Sequence, residues 1–247
     1  MNQVKFGNEI ISYSVRRGKR EKTVALHIQP NSTVVVLSPQ FLTGEKIREI
    51  VLRRARWISQ KQETLKKQVG SIAPKEFVSG ESFPYLGRQY RLKIVRSAGT
   101  GIPTCKLVKG RFRVEINNRM TGKTVSRTVA RSLMNWYMAR AQEKINERVE
   151  RCSVPAGKKP VKIMIRDQEK RWGSCSVSGV LRFNWKVAMM PLSVLDYVIA
   201  HELCHLFIKD HSDKFWNKVG SIIPDYKKKR QWLRENGLLL AELLNYL

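Results

Sequence analysis

Hydrophobic and polar positions alternate along the first forty residues as strands require. Val4–Phe6 and Ile10–Val15 flank the turn pair Gly7-Asn8, and Val24–Ile28 and Val34–Leu37 flank Pro30-Asn31-Ser32. A basic stretch, Arg16-Arg17-Gly18-Lys19-Arg20, joins the two pairs. From 44 to 68 the period lengthens. Ile47, Ile50, Val51, Trp57, Ile58 and Leu65 share a face, with Arg48, Arg53, Arg56 and Lys61 mainly outside it. One helix is predicted there, with Thr43 as its cap.

Residues 70–80 read as a linker. A second strand group follows: Tyr85–Gly87 leads into Tyr90–Val95, and Lys106–Val108 and Phe112–Ile116 flank Lys109-Gly110. Residues 123–150 predict a long amphipathic helix on Val125, Val129, Leu133, Trp136, Tyr137, Ile145 and Val149. Pro155–Pro160 breaks that pattern. Strands are expected at Val161–Ile165 and Val180–Val187, separated by a loop over Gln168–Ser178. Pro191 opens another helix, with Ser193 and Asp196 spaced as a capping box. Pro224 precedes two helical segments, 226–235 and 238–246, parted by Gly237. This order predicts an α+β fold, a β-rich N-terminal region over 1–118 followed by a second domain over 119–247. No repeat of 20–50 residues is visible.

Composition adds charge to this picture. The 247 residues hold 47 Lys+Arg against 20 Asp+Glu, a formal net charge of +27. Such an excess favours polyanionic partners. The longest stretch without Asp, Glu, Lys or Arg runs from Thr23 to Gly44 and carries Gln29, Pro30, Asn31 and Pro39, so no membrane span is expected. The N-terminus lacks the basic start and apolar core of a secretory signal, and the expected compartment is the cytoplasm. Cys105, Cys152, Cys175 and Cys204 show no paired metal or redox spacing and are expected reduced.

The chemistry concentrates in one segment. Three of the four histidines lie in His201-Glu202-Leu203-Cys204-His205 and the nearby His211. On a helix, positions i and i+4 stand one above the other, so His201 and His205 can both offer nitrogens to one tetrahedral zinc. Glu202, one residue further round, can reach a water on the metal without being a ligand. A catalytic zinc needs a third ligand and an open position. His211 is the best candidate if the helix ends near Lys209-Asp210; Glu235 or Glu242 is the alternative. Ile208 replaces the glycine that metzincins use for their turn, which argues against that class.

The stretches RWGSCSVSGVLRFNWKV (171–187), YVIAHELCHL (197–206), HSDKFW (211–216) and PDYKKKRQWL (224–233) resemble the YgjP-like metallopeptidases. YSVRRGKREKTVALHI, TVVVLSP, RRARWISQK and YLGRQYRLKIV extend the resemblance over nearly the whole chain. That family is similar to SprT-type and minigluzincin proteases. The resemblance implies a compact zincin-like core around the HExxH helix, zinc on His201, His205 and His211, Glu202 as catalytic acid/base, and peptide or protein substrates. Asp210 stands where the family pattern leads one to expect Asn, and the N-terminal half is more basic than expected.

Arg171, Asn184 and Tyr226 are candidate substrate contacts. Asn184 would hold a substrate backbone if 181–187 were a sheet edge above the metal. Tyr226, Tyr197 and Arg171 are alternative oxyanion donors, and no spacing rule chooses among them. Arg16, Arg17, Lys19, Arg20, Arg53, Arg56, Lys227, Lys228, Lys229 and Arg230 are candidate nucleic-acid contacts through phosphates. No base-reading module is present, so such binding would be weakly sequence-selective. Two readings follow: a zinc peptidase, in one version directed to nucleic-acid-associated proteins, and a basic nucleic-acid-binding protein with a structural or nearly silent zinc site.

Overall fold

The computed structural model describes residues 2–18, 23–29, 32–69, 75–99, 101–168 and 171–243. The chain divides into two compact units, Met1–Ala73 and Pro74–Leu247. The strand group at 82–117, expected with the N-terminal region, therefore shares the core of the second unit, and the boundary expected at 118/119 falls inside that core.

In the first unit, β1 (Asn2–Phe6), β2 (Glu9–Gly18), β3 (Ala25–Ile28) and β4 (Val34–Pro39) form a sheet in the order β1-β2-β4-β3. β2 and β4 are parallel; the outer pairs are antiparallel. The single helix expected over 44–68 is two, α1 (Gly44–Arg53) and α2 (Ala55–Val69). The Arg54 amide is shared between the Ile50 and Val51 carbonyls, a tightened turn that no glycine or proline announces. Ile47, Val51, Ala55 and Ile58 still pack in one core with Val4, Ile11, Tyr13, Val34 and Val36. The Thr43 hydroxyl caps α1 as expected, accepting from the Lys46 amide at 3.4 Å.

In the second unit, β5 (Ser82–Tyr85), β6 (Arg88–Ser97), β7 (Cys105–Val108) and β8 (Arg111–Asn117) give the order β5-β6-β8-β7. The long helix α3 (Gly122–Ala156) lies on this sheet through Val129, Leu133, Trp136 and Tyr137, which pack with Phe112. It runs past Pro155, where a missing amide costs only one bond near the helix end. Gly157, in the left-handed conformation, caps it on the Ser153 and Val154 carbonyls.

A smaller sheet follows, with β9 (Lys162–Arg166), β10 (Gly173–Cys175) and β11 (Val180–Asn184) in the order β10-β11-β9. The strand expected to run to Val187 ends at Asn184, and Trp185–Met189 is a buried 3-10 turn. β10 lies in the stretch that the sequence reads as loop. The 3-10 turn is gripped by the β5–β6 hairpin: the amides of Leu86 and Gly87 donate to the Ala188 and Met189 carbonyls. Gly87 has φ +79°, and a Cβ there would lie 2.9 Å from the Pro191 backbone. Only glycine fits this contact, which seats the start of the next helix.

That helix is α4 (Leu192–Cys204), followed by α5 (Asp213–Ile222) and α6 (Tyr226–Glu242). The expected capping box does not form. Asp196 instead accepts both guanidinium bonds from Arg148 of α3, and Pro191 sits at the cap position. The two C-terminal segments expected around Gly237 are one continuous helix. Gly237 is buried against the Trp172 indole, where a Cβ would come within 3.3 Å of Nε1. The glycine serves close approach rather than termination.

Candidate active site

α4 is apolar on nearly every side, and its buried residues include Val194, Leu195, Val198, Ile199, Ala200 and Leu203. That burial fixes the helix rigidly, and its last turn carries His201, Glu202 and, at the C-cap, His205. The helix ends five residues before Lys209, where the sequence leads one to expect the exit. The amides of Leu206, Phe207 and Ile208 close tight turns back on the Leu203 and Cys204 carbonyls. Asp210 Oδ1 accepts from the Ser212 amide at 3.1 Å, and His211 turns back just before α5 begins.

The three rings converge. His201 Nε2 is 3.2 Å from His205 Nε2 and 3.2 Å from His211 Nε2. These three residues form a group able to hold a metal ion. His205 Nδ1 lies 2.9 Å from the Ile208 carbonyl, an arrangement in which Nδ1 donates and Nε2 keeps its lone pair for the cluster. Phe215, fully buried, forms the floor: its ring centre is 4.5 Å from His205 and 4.9 Å from both His201 and His211. Trp216 stacks on His211 at 5.7 Å. Glu235 instead accepts from Gln231, and Glu242 lies near Lys186; neither belongs to the group, so the alternative third ligands are not brought to it.

Burial sets the electrostatics. It pushes the His201 imidazole down to about 3, helped by the neighbouring His205, His211 and Arg230, so this ring is neutral at pH 7. His205 is lowered for the same leading reason. Burial pushes the Glu202 carboxyl up to about 8, partly countered by the positive charge of Arg171. The site thus sets three converging imidazole rings beside a buried carboxyl group.

A profile of the YgjP-like metallopeptidase domain matches residues 22–236. The chain belongs to the YgjP-like metallopeptidase family. A solved structure, the metallopeptidase zymogen abylysin of Pyrococcus abyssi, is similar at 23% identity, covering 37% of this chain and 93% of that one with a TM-score of 0.34. No curated protein matches the chain.

The remaining candidates of this YgjP-like chain divide. Arg171 is exposed and its charge acts on Glu202. Tyr226 stacks on Trp216 at 5.5 Å, one ring removed from the histidines, and Tyr197 is buried 6.1 Å from the His201 ring centre. Asn184 is not a substrate contact of the kind expected. β11 is the middle strand of its sheet, and Asn184 is buried, donating to the Gln168 carbonyl and accepting from the Lys186 amide. β10 is an outer strand of that sheet, and the sequence hides it in a Ser/Gly-rich stretch.

The basic candidates divide too. Arg230 lies over the Trp216 ring at 4.4 Å and Lys229 pairs with Asp225 at 2.9 Å, while Lys227 and Lys228 are exposed. Arg16, Arg53 and Arg56 are exposed, and Arg17 donates to the Gln40 carbonyl. Lys19 and Arg20 lie outside the described residues. Among the described residues no helix is long and apolar enough to cross a membrane.

Proposed function

We propose that this chain is a zinc-dependent metallopeptidase in which His201, His205 and His211 hold the ion and Glu202 is the general base. The convergence of three imidazole Nε2 atoms beside Glu202 carries this reading. A tetrahedral zinc with bonds of ~2.0–2.1 Å to imidazole holds its ligand atoms about 3.3 Å apart, close to the two 3.2 Å separations here. Three protein ligands leave a fourth position open, as catalysis requires. Bound there, zinc would polarise the scissile carbonyl and acidify a water.

Glu202 accepts the proton of the attacking water and returns it to the leaving amine. A carboxyl raised by burial is suited to both steps, because the proton is neither held too weakly to take nor too strongly to give. Arg171 sits where its charge steadies the ionised carboxylate. As an outer strand among the described residues, β10 offers backbone pairing to an extended peptide beside Glu202. A silent structural zinc site has no use for a buried carboxyl at this position.

The test is Glu202→Gln. It should keep one zinc per chain and the wild-type melting profile, and lose about 10²–10⁴-fold in cleavage of an unstructured protein substrate. Full cleavage by the variant removes Glu202 as the base. Absence of cleavage by the zinc-loaded wild type favours the silent-site reading.

A further inference from the structure

The two four-stranded sheets are copies of one module. Each has its central strands parallel and its outer pairs antiparallel, in the same chain order. The first hairpin closes at Phe6–Glu9 in one and Tyr85–Arg88 in the other. Tyr13 pairs with Val34 as Leu92 pairs with Phe112, and Leu26 with Val36 as Cys105 with Val114. The match extends to side chains. Arg17 donates to the Gln40 carbonyl, and Arg96, its counterpart, donates to the Asn118 carbonyl at 3.2 Å. The helix that follows starts at Thr43-Gly44 in one copy and Thr121-Gly122 in the other. Ile47, Val51, Ala55 and Ile58 then correspond to Val125, Val129, Leu133 and Trp136.

The copies differ where the helix faces the strand entry. In the second copy the helix lies close to the strand entry beside it: Ser132 Oγ is 3.2 Å from the Pro103 carbonyl and 2.9 Å from the Thr128 carbonyl of its own helix. In the first copy Arg54 stands at the place of Ser132, and a groove of about 610 Å³ lies there. Val24, Leu26, Phe41, Arg53, Arg54 and Trp57 are among its lining residues. The counterparts of Phe41 and Trp57 are Arg119 and Asn135. Phe41 is 72% exposed and Trp57 46%. Both are large apolar rings left in water. Among the described residues no carboxylate pairs with Arg53, Arg54 or Arg56.

We propose that this groove of the N-terminal module binds single-stranded nucleic acid, with bases stacked on Phe41 and Trp57 and phosphates held by Arg53 and Arg54. Two exposed π-faces beside unpaired guanidinium groups match a partner that carries a flat ring and a negative charge in every unit. A duplex hides its base faces and would use only the arginines. An acidic peptide would use the arginines but has no regular ring to offer. The site is independent of the zinc centre, so Glu202→Gln and His211→Ala should bind the strand as the wild type does.

Anisotropy titrations of the full chain test this, with labelled oligothymidylate of about 15 residues, a mixed duplex of equal length and a poly-glutamate peptide as probes. The single strand should bind more tightly than the duplex. Phe41→Ala and Trp57→Ala should each weaken it about 5- to 100-fold, the loss of one stacked base, without changing the salt slope. Arg53→Ala and Arg54→Ala should each lower that slope by about 0.7. Phe41 is the more exposed ring, so its variant keeps the fold and decides the matter if Trp57→Ala does not. No binding at low salt, equal affinity for duplex with silent aromatic variants, or tighter binding of poly-glutamate overturns the proposal.

Discussion

Gly173 on β10 stands directly against the carboxyl group of Glu202. A Cβ at Gly173 would lie 2.7 Å from Glu202 Cγ and Oε1 and 2.9 Å from Cδ. Those are distances real carbon atoms do not share, so the glycine decides where the carboxyl can sit. Gly173→Ala should keep zinc, because it leaves the histidine triad untouched, and lose about 100-fold in turnover, as small displacements of a reacting group do. It should also lower the melting temperature in the wild type but not in a Glu202→Ala background. Equal melting losses in both backgrounds would show that the contact does not hold Glu202.

His211 should be the third ligand. It is the exposed member of the triad, on the turn between α4 and α5, and its Nε2 faces that of His201. His211→Ala should weaken zinc by more than about 100-fold in chelator competition, beyond the usual loss from an outer-shell partner. Glu235→Ala and Glu242→Ala should leave affinity unchanged. The reverse ranking moves the ligand to α6.

His201, Glu202 and His205 were legible because a helix turns i and i+4 into neighbours, a relation that depends on spacing alone. The fold was legible where alternation was clean, as in β1–β4 and β7–β8. It was not legible where a residue answers to a distant partner. Gly237 reads as a break until Trp172 lies against it, and Asp196 reads as a cap until Arg148 takes its carboxylate. β10 is three residues long and exists because β11 pairs with it. The doubled module escaped because its copies share few identities; Arg17 and Arg96 match through the Gln40 and Asn118 carbonyls they bind.

Metal-free protein should lose stability as pH rises above 6.5. The folded Glu202 carboxyl lies near 8 against an ordinary 4.5, so the folded state holds a proton that the unfolded chain releases. Its contribution is complete below 4.5 and disappears as pH climbs through 8. His201 acts oppositely. Its folded value near 3 lies below the ordinary 6.5, so it adds stability with rising pH only up to about 6.5. Between 6.5 and 8 the Glu202 slope stands alone and amounts to about 2 kcal/mol. Chelated wild type should melt lower at pH 8 than at 6.5, and chelated Glu202→Gln should not share that fall. A parallel fall in both would assign the slope elsewhere.

The Arg148–Asp196 pair should govern the seating of α4. It joins α3 to α4, and its side chains are only 9% and 15% exposed. Apart from Glu202, Asp196 is the one acidic residue on α4, whose other packing is apolar and holds no direction as strictly as a two-bond guanidinium contact. Removing the arginine leaves a carboxylate in a poorly solvated place, at a cost of about 3–5 kcal/mol. Arg148→Met should therefore lower the melting temperature by roughly 6–20 °C for a unit of this size. Arg148→Met with Asp196→Leu should recover most of it, since a matched apolar pair incurs no charge burial. Activity separates packing from positioning. If the pair orients His201 and Glu202, the double variant should stay slow at temperatures where it is fully folded, with zinc still bound. If it merely packs, turnover returns with stability.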